Sequence, residues 1–432
     1  MVYYLGRVID ETSGPAGPSV VHRYDFRLLA AGQALSWLGN GFQTVALAVA
    51  VILTGGGPGD LGLVMACSVV AMLVCMLFGG VWADRVQPQR IIVISDIVRF
   101  AAVAGMAVLY GTGNHWIPLI AALAAIASGA GAFFTPALTA LRPMVVTVER
   151  RQSANATLTL IRTAAAVLGP AAGGAVVAAF GPTTGFAVNA ASYLVSIVTA
   201  VLIRARVERS HREGMLKELG AGWAEIRRRD WLLSGVLSAT VYHVANGVIL
   251  VLVQVVAIQQ LGGAGAVGLI AAAEGLGGVV GATIAMRLRP RRAAGAGWLS
   301  LLLMPLWALS YVWPGVLTAV LAGAMLGYAG LSFFSVAWET AIQDQIPHRL
   351  LARVGSWDAL TSFIAMPIGN LLAGPLAEAA GIDRVLVGCA GVLLVASVAP
   401  LFVRGTRELT RPLQPQLAEP PQELQPEVAR VG

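Results

Sequence analysis

The sequence predicts an all-α integral membrane protein of twelve spanning helices in two sets of six, and three observations carry that prediction. Hydrophobic residues make up 57% of the 432 and charged residues 12%, against about 25% charged in a soluble domain, and the mean hydropathy is +0.76. Apolar runs of about twenty residues, enough to cross ~30 Å of hydrocarbon at 1.5 Å per residue, recur along the whole chain. The basic residues sort between alternate connections: with the N-terminus inside, 26 of the 29 fall in the inner segments, Arg384 alone falls outside, and Arg99 and Arg162 lie within spans. That asymmetry follows the rule that cytoplasmic loops are enriched in Lys and Arg, and one helix more or fewer would scramble it.

Taken in order, residues 1–25 form a mixed polar inner segment whose Gly14, Pro15 and Pro18 leave no compact apolar core for a cleavable signal. Spans follow near 28–53, 61–83, 91–110, 116–138, 155–179 and 183–203, the first bundle, 26–203. The turns GGGPGD, GTGN and GPTTG separate alternate pairs. The second span leaves the membrane through Gly80–Arg90, GVWADRVQPQR, where Asp84, Arg85 and Arg90 follow directly on the apolar run.

Residues 204–231 are the one long inner connection. Their charges alternate in sign while Met215, Leu216, Leu219, Trp223 and Ile226 recur at helical spacing, the pattern of an amphipathic helix on the inner membrane face or of a solvated linker helix. The second bundle, 232–403, holds spans near 232–258, 266–286, 294–312, 316–337, 357–378 and 385–403, with turns LGGAG, WPG and GID. Beyond it, 404–432 turns to Pro, Gln and Glu and is expected to be a disordered cytoplasmic tail.

A constant offset of 200 residues relates the halves: Phe133 and Phe134 to Phe333 and Phe334, Gly169 to Gly369, Gly174 to Gly374, and Gly181 to Gly381. Parallel six-helix repeats are an architecture of secondary transporters, with the substrate site between the halves near the midplane.

The composition also excludes functions. There is no phosphate-binding GxxxxGK[ST] loop, the five histidines are scattered, and Cys67, Cys75 and Cys389 lie in apolar runs with no ligand spacing. An enzyme, a metal site, a cofactor and an ATP-driven pump are therefore not expected, and the arginines form no nucleic-acid-binding patch. What remains is a short set of polar residues in the membrane, where ionisable groups are costly and functional by default.

Glu274 is ~20 Å deep at 1.5 Å per residue, within GLIAAAEGLGG, and reads as a proton-carrying group or a tie between helices. Asp96 and Arg99, three apart, share a face and read first as an ion pair; Arg162 has no acid within four positions and needs a partner from another helix or an anionic substrate. Gln33, Asn40 and Gln43 on the first span, with Tyr242, His243 and Asn246 on the seventh, are cavity candidates or helix contacts. In LGPAAGG, Pro170 removes a backbone donor while Gly169, Gly173 and Gly174 allow close approach, so the fifth span carries either a hinge or tight packing.

On these motifs the chain resembles the major facilitator superfamily, and within it the enterobactin-exporter-like and macrolide-efflux-like branch. Gly80–Arg90 resembles the G-x-x-x-D-R-x-G-R-R loop, Leu168–Gly174 resembles the G-P-x-x-G-G antiporter signature, and FFTPALTALRP and QDQIPHRLLARVGS are similar to stretches of that branch. The resemblance spans roughly 26–403.

It implies a major facilitator fold and makes Gly80, Asp84, Arg85 and Arg90 a gating motif. Asp84 would cap the start of the eleventh helix near Gly355 and Ser356, and the arginines would anchor to headgroups. The chain departs from the family in Gln87 and Gln89, and in Asn40, which stands where related exporters often carry an acid. Coupling is thereby displaced toward Glu274, Asp96 and Arg162.

The expectation is a monomeric, multi-pass bacterial inner-membrane transporter with both termini cytoplasmic, exchanging protons for small amphipathic drugs or secondary metabolites and contacting lipid. Uptake by the same fold, and a non-transporting sensor or scaffold, are the alternatives.

Overall fold

The computed structural model describes residues 19–83, 86–147, 150–203, 223–288, 290–312 and 316–410. Eleven helices among them are long and apolar enough to cross a membrane, and a twelfth apolar helix is shorter. In lipid every backbone donor and acceptor must be satisfied within its own segment, which leaves uninterrupted helices as the solution for these runs.

In chain order the helices are α1 (Ser19–Leu53), α2 (Pro58–Ala83), α3 (Pro88–Gly111), α4 (Ile117–Leu141), α5 (Arg151–Phe180) and α6 (Pro182–Leu202), then α7 (Asp230–Gln260), α8 (Ala264–Leu288), α9 (Ala293–Leu309), α10 (Leu317–Gln345), α11 (His348–Ile364, continued by Met366–Ala380) and α12 (Ile382–Phe402). A short α13 (Arg404–Glu408) follows.

Prolines and glycines set the boundaries. Pro88 and Pro182 open α3 and α6 at the first turn, where the missing N–H costs nothing. Gly181 and Gly381, 200 residues apart, both take φ above +80° between consecutive helices, at 80° and 84°, a conformation that other residues adopt only with strain. Inside helices the effect of proline depends on place. Pro305 removes the donor that Leu301 would accept, and α9 tightens into a 3₁₀ turn at Leu301–Leu303. Pro367 likewise removes a backbone donor beside the break in α11 at Ala365, whereas α5 runs unbroken through Pro170.

Several boundaries differ from the sequence reading. α1 begins at Ser19, α5 at Arg151 and α11 at His348, and α10 runs on to Gln345. In each case charged residues that end an apolar run nonetheless continue a helix beyond the hydrocarbon. Gly355 and Ser356 thus lie inside α11 and not at its start, which corrects the cap position implied for Asp84; Asp84 and Arg85 themselves lie outside the described residues. Of the long inner connection, 204–222 also lies outside them.

Its described end, 223–228, is helical and packs on protein: Ile226 is fully buried, Trp223 lies tilted against Trp357 with ring centroids 5.1 Å apart, and Arg229 bonds Glu225 at 2.7 Å and the Gln345 carbonyl at 2.9 Å. Ala224, Arg227 and Arg228 of that stretch remain exposed, so it has one protein-facing side and one open side. Residues 404–408, expected to be disordered, form α13 with Thr406 buried; 411–432 lie outside the described residues.

Within α1–α6 the main contacts are α1 with α5 and α6, α2 with α4, and α3 with α4 and α6. Within α7–α12 they are α7 with α11 and α12, α8 with α10, and α9 with α10 and α12. The two groups meet chiefly along α2 with α11 and α5 with α8, seams that exchange under a shift of six helices.

Glycines make both seams close. A Cβ on Gly268 would come within 2.6 Å of the Pro170 carbonyl oxygen and 2.8 Å of Gly174 Cα, and one on Gly374 within 2.5 Å of Gly59 Cα. The repeat pairs hold equivalent places: Gly169 faces Leu38 and Gly41 of α1 while Gly369 faces Val244 and Gly247 of α7, and Gly174 faces α8 while Gly374 faces α2. These approaches cluster toward the side carrying the turns at 54–57, 181, 261–263 and 381, here called the turn side. The side carrying both ends of the described chain is the terminal side.

Candidate transport site

A cavity of about 700 Å³ opens among α1, α2, α3, α4 and α6, with Gln254 of α7 as the residue that the second six helices add to its lining. α4 lines it with small residues, among them Ala124, Ala127, Ser128, Gly131 and Thr135, and two further walls follow from helical spacing. On α1, Asn40, Gln43, Thr44, Leu47 and Ala48 recur at intervals of three and four, and on α2 so do Leu61, Met65, Ser68, Met72 and Met76. One wall is therefore amide-rich. The other is lined by flexible thioethers that fit irregular apolar shapes.

Behind the polar wall lies a buried network. Arg99 donates from Nη1 to Asp96 Oδ1 at 3.2 Å and from Nη2 to Asn40 Oδ1 at 3.0 Å. Tyr193 donates its hydroxyl to the same Asn40 oxygen at 2.7 Å, and its ring lies 4.2 Å beneath the guanidinium carbon. Ser196 closes the far side, donating to Asp96 Oδ2 at 2.6 Å, and Asn189 donates to Gln43 Oε1 at 2.5 Å.

Asp96 is 0% exposed and Arg99 9% exposed, so the charge pair is withdrawn from water while Arg99 still reaches the cavity wall. An isolated charge there would cost several kcal/mol, and pairing with several hydrogen bonds is what makes the burial tolerable. Among the described residues no carboxylate lines the cavity.

α6 supplies this network from Asn189, Ser192, Tyr193 and Ser196, one stripe at helical spacing. α1 can approach it because Gly39 has no side chain; a Cβ there would sit 2.9 Å from Ser192 Cβ. None of the α6 residues was singled out from sequence, although four polar side chains at i, i+3, i+4 and i+7 in an apolar run were the available signal.

The other candidates fall elsewhere. Asn40 and Gln43 line the cavity; Gln33 is buried with its Oε1 unpartnered and does not. Tyr242 and Asn246 are buried in α7 outside the lining, and His243 Nδ1 lies 2.7 Å from the Ala239 carbonyl. Glu274 is half-buried within the second six helices, where its electrostatic neighbours are Trp307 of α9, Tyr311 just beyond it, and Tyr328 of α10. Arg162 is exposed and lies near Arg142, a like charge rather than the acid it was expected to need. Gly169 and Gly173 pack against α1, Gly174 packs against α8, and Arg90 is exposed.

Twelve apolar helices in two groups that exchange under a shift of six, around a cavity reached by both, are the form of a secondary transporter. The model of the transmembrane secretion effector family matches residues 18–430. The chain belongs to that family of major facilitator transporters. It is thus a multi-pass membrane transporter and not an enzyme.

The chain is 26% identical over 388 residues, 86% of its length and 93% of the relative's, to the multidrug efflux pump Tap of Mycolicibacterium fortuitum. It is 25% identical, over 86% and 92%, to the enterobactin exporter EntS of Citrobacter koseri. Its fold matches a bacterial Spinster homologue in an inward-facing, unoccupied conformation (TM-score 0.70, 15% identity, 91% and 98% covered). A bacterial ferroportin homologue in an inward-facing state is also similar (TM-score 0.69, 16% identity, 90% and 100% covered).

Proposed function

We propose that this transporter exports small amphipathic molecules from the bacterial cytoplasm across the inner membrane, by alternating access and in exchange for protons. Both termini lie in the cytoplasm on this reading, the monomer is the working unit, and the turn side faces outward. The single observation that carries it is the cavity with one amide-rich and one methionine-rich wall, a shape suited to a ring system with a hydrogen-bonding edge. The relatives named as a multidrug pump and an enterobactin exporter support the direction.

The network suggests how a proton and a substrate compete. One guanidinium, that of Arg99, holds both Asp96 and the cavity-lining Asn40. Protonating Asp96 weakens its hold on Arg99, which changes what Arg99 and Asn40 offer to a ligand, and by reciprocity a ligand that engages them changes the proton affinity of Asp96. Among the described residues the neighbours of Glu274, which are Trp307, Tyr311 and Tyr328, do not line the cavity, so Asp96 is the coupling group in this account.

Expression in an efflux-deficient host should lower susceptibility to several unrelated amphipathic inhibitors, with Asp96→Asn abolishing the protection and Glu274→Gln keeping most of it. Protection lost only in Glu274→Gln would move coupling to that residue. Protection by neither the native chain nor Glu274→Gln, at equal expression, would remove export from the account.

Gln254 lines the cavity from the opposite group of helices. Gln254→Ala is expected to weaken transport of substrates with polar edges about fivefold, the worth of one hydrogen bond, while sparing purely apolar ones. Competition assays across such a pair of substrates read that difference directly.

A further inference from the structure

A second, smaller cavity of about 190 Å³ lies at the terminal ends of α4 and α5. Arg142, in the 3₁₀ turn after α4, and Arg151, at the start of α5, both line it together with Asn155. Phe26, Leu29 and Val146 supply its apolar part. Arg151, Asn155, Leu158 and Arg162 recur at intervals of four, three and four along α5, so Arg162 extends the same face deeper into the membrane.

Among the described residues the three arginines share no carboxylate, and Glu149 lies outside those residues. No acid lines the cavity among the described residues, none of the three forms an ion pair there, and Arg142 Nε is buried without a hydrogen-bond partner. Asp25, beside Phe26 in sequence, is buried with an interaction of its own and is not part of the lining. Burial, and next to it the nearby charge of Arg162, hold the Arg142 guanidinium below its ordinary pKa.

One guanidinium nitrogen buried without a partner among the described residues, two exposed arginines on the neighbouring face of α5, and an apolar floor together suit an anion that carries an apolar chain. Guanidinium groups bind phosphate through paired, charge-assisted hydrogen bonds. The apolar floor and the position at a membrane-facing helix end distinguish the source, since free phosphate has no use for Phe26 and Leu29 while an acyl chain does.

We propose that Arg142, Arg151 and Arg162 form a phosphate-binding site that holds the headgroup of an anionic phospholipid at the terminal ends of α4 and α5. It is separate from the 700 Å³ cavity, and it rests on the transporter reading only in placing that end within the cytoplasmic leaflet.

The test is native mass spectrometry of the detergent-purified full chain titrated with phosphatidylglycerol, cardiolipin or phosphatidylcholine. The native chain should hold the two anionic lipids about tenfold more strongly than phosphatidylcholine. The double variant Arg142→Gln/Arg151→Gln should lose that preference, Arg142→Lys/Arg151→Lys should keep most of it, and Arg384→Gln, on the turn side, should keep all of it.

Equal retention of phosphatidylcholine by the native chain, or an unchanged preference in the Gln pair, would overturn the site. If the Gln pair does not elute as folded protein, the native ordering decides alone. Displacement of the lipid by millimolar inorganic phosphate would assign the same arginines to free phosphate and overturn the lipid as its source. Lipid binding is read without transport, so its outcome and that of the export reading are separable.

Discussion

Gly268→Leu is expected to abolish transport in a folded protein. A Cβ at this position already meets the Pro170 carbonyl oxygen at 2.6 Å and Gly174 Cα at 2.8 Å, and both are backbone atoms that cannot rotate away. Overpacking of this kind costs about 1–3 kcal/mol in a rigid core. Here the strain has an outlet, because separating α5 from α8 relieves it without unfolding either group of helices. Each 1.4 kcal/mol shifts a two-state population about tenfold, so a single leucine suffices to trap the molecule open on the turn side.

The check is a cysteine placed at the cavity residue Leu47, after Cys67, Cys75 and Cys389 are replaced, and probed with a membrane-impermeant maleimide from the turn side. Labelling should rise about tenfold in Gly268→Leu. Native labelling with native transport would mean that this seam does not open.

Asp96→Ala is the second large effect. It leaves the Arg99 guanidinium, 9% exposed, with Asn40 and the Tyr193 ring but no carboxylate. Removing one partner of a buried pair costs about 3–5 kcal/mol, because the surviving charge is left uncompensated. The double variant Asp96→Ala/Arg99→Met should recover most of that loss, since a flexible apolar chain fills the same space with nothing to neutralise. Thermal unfolding in detergent, ranked native, double variant, then Asp96→Ala, tests this. Equal stability of the two variants would show that Arg99 finds another counterion. Transport should be lost in both, because both remove the link between Asp96 and Asn40.

The features legible in the sequence were those that the bilayer imposes on every residue of a segment. Runs such as 91–110 and 183–203 became α3 and α6 within a few residues, because only a helix can bury twenty consecutive peptide groups in hydrocarbon. The 200-residue repeat was legible for a related reason: Gly169, Gly174, Gly369 and Gly374 are fixed by backbones in contact, and such contacts tolerate no substitution. The start of α11 was not legible, because Leu350, Arg353 and Ser356 read as a loop although they begin the helix ahead of the apolar run.

The site divided in the same way. Asn40, Gln43, Asp96 and Arg99 stood out as polar groups in apolar surroundings. Which of them meet depends on the packing of α1, α3 and α6, and no periodicity in a single helix encodes that. Tyr193 and Ser196 passed as ordinary members of a span until α3 placed Asp96 beside one and Arg99 over the other. The cavity's methionines were equally silent, since nothing in the apolar run of α2 sets Met65, Met72 and Met76 apart until the walls are assembled.

The central claim, proton-coupled export through the cavity behind Asn40, is tested most directly in proteoliposomes containing inward-oriented and outward-oriented protein separated by side-specific inactivation. With a substrate found in the susceptibility panel, an imposed pH gradient should drive uptake only into vesicles in which the terminal side faces the bath and the lumen is acidic, and Asp96→Asn should abolish the gradient dependence. Movement toward the terminal side, or uptake that ignores the gradient in the native protein, would contradict the account.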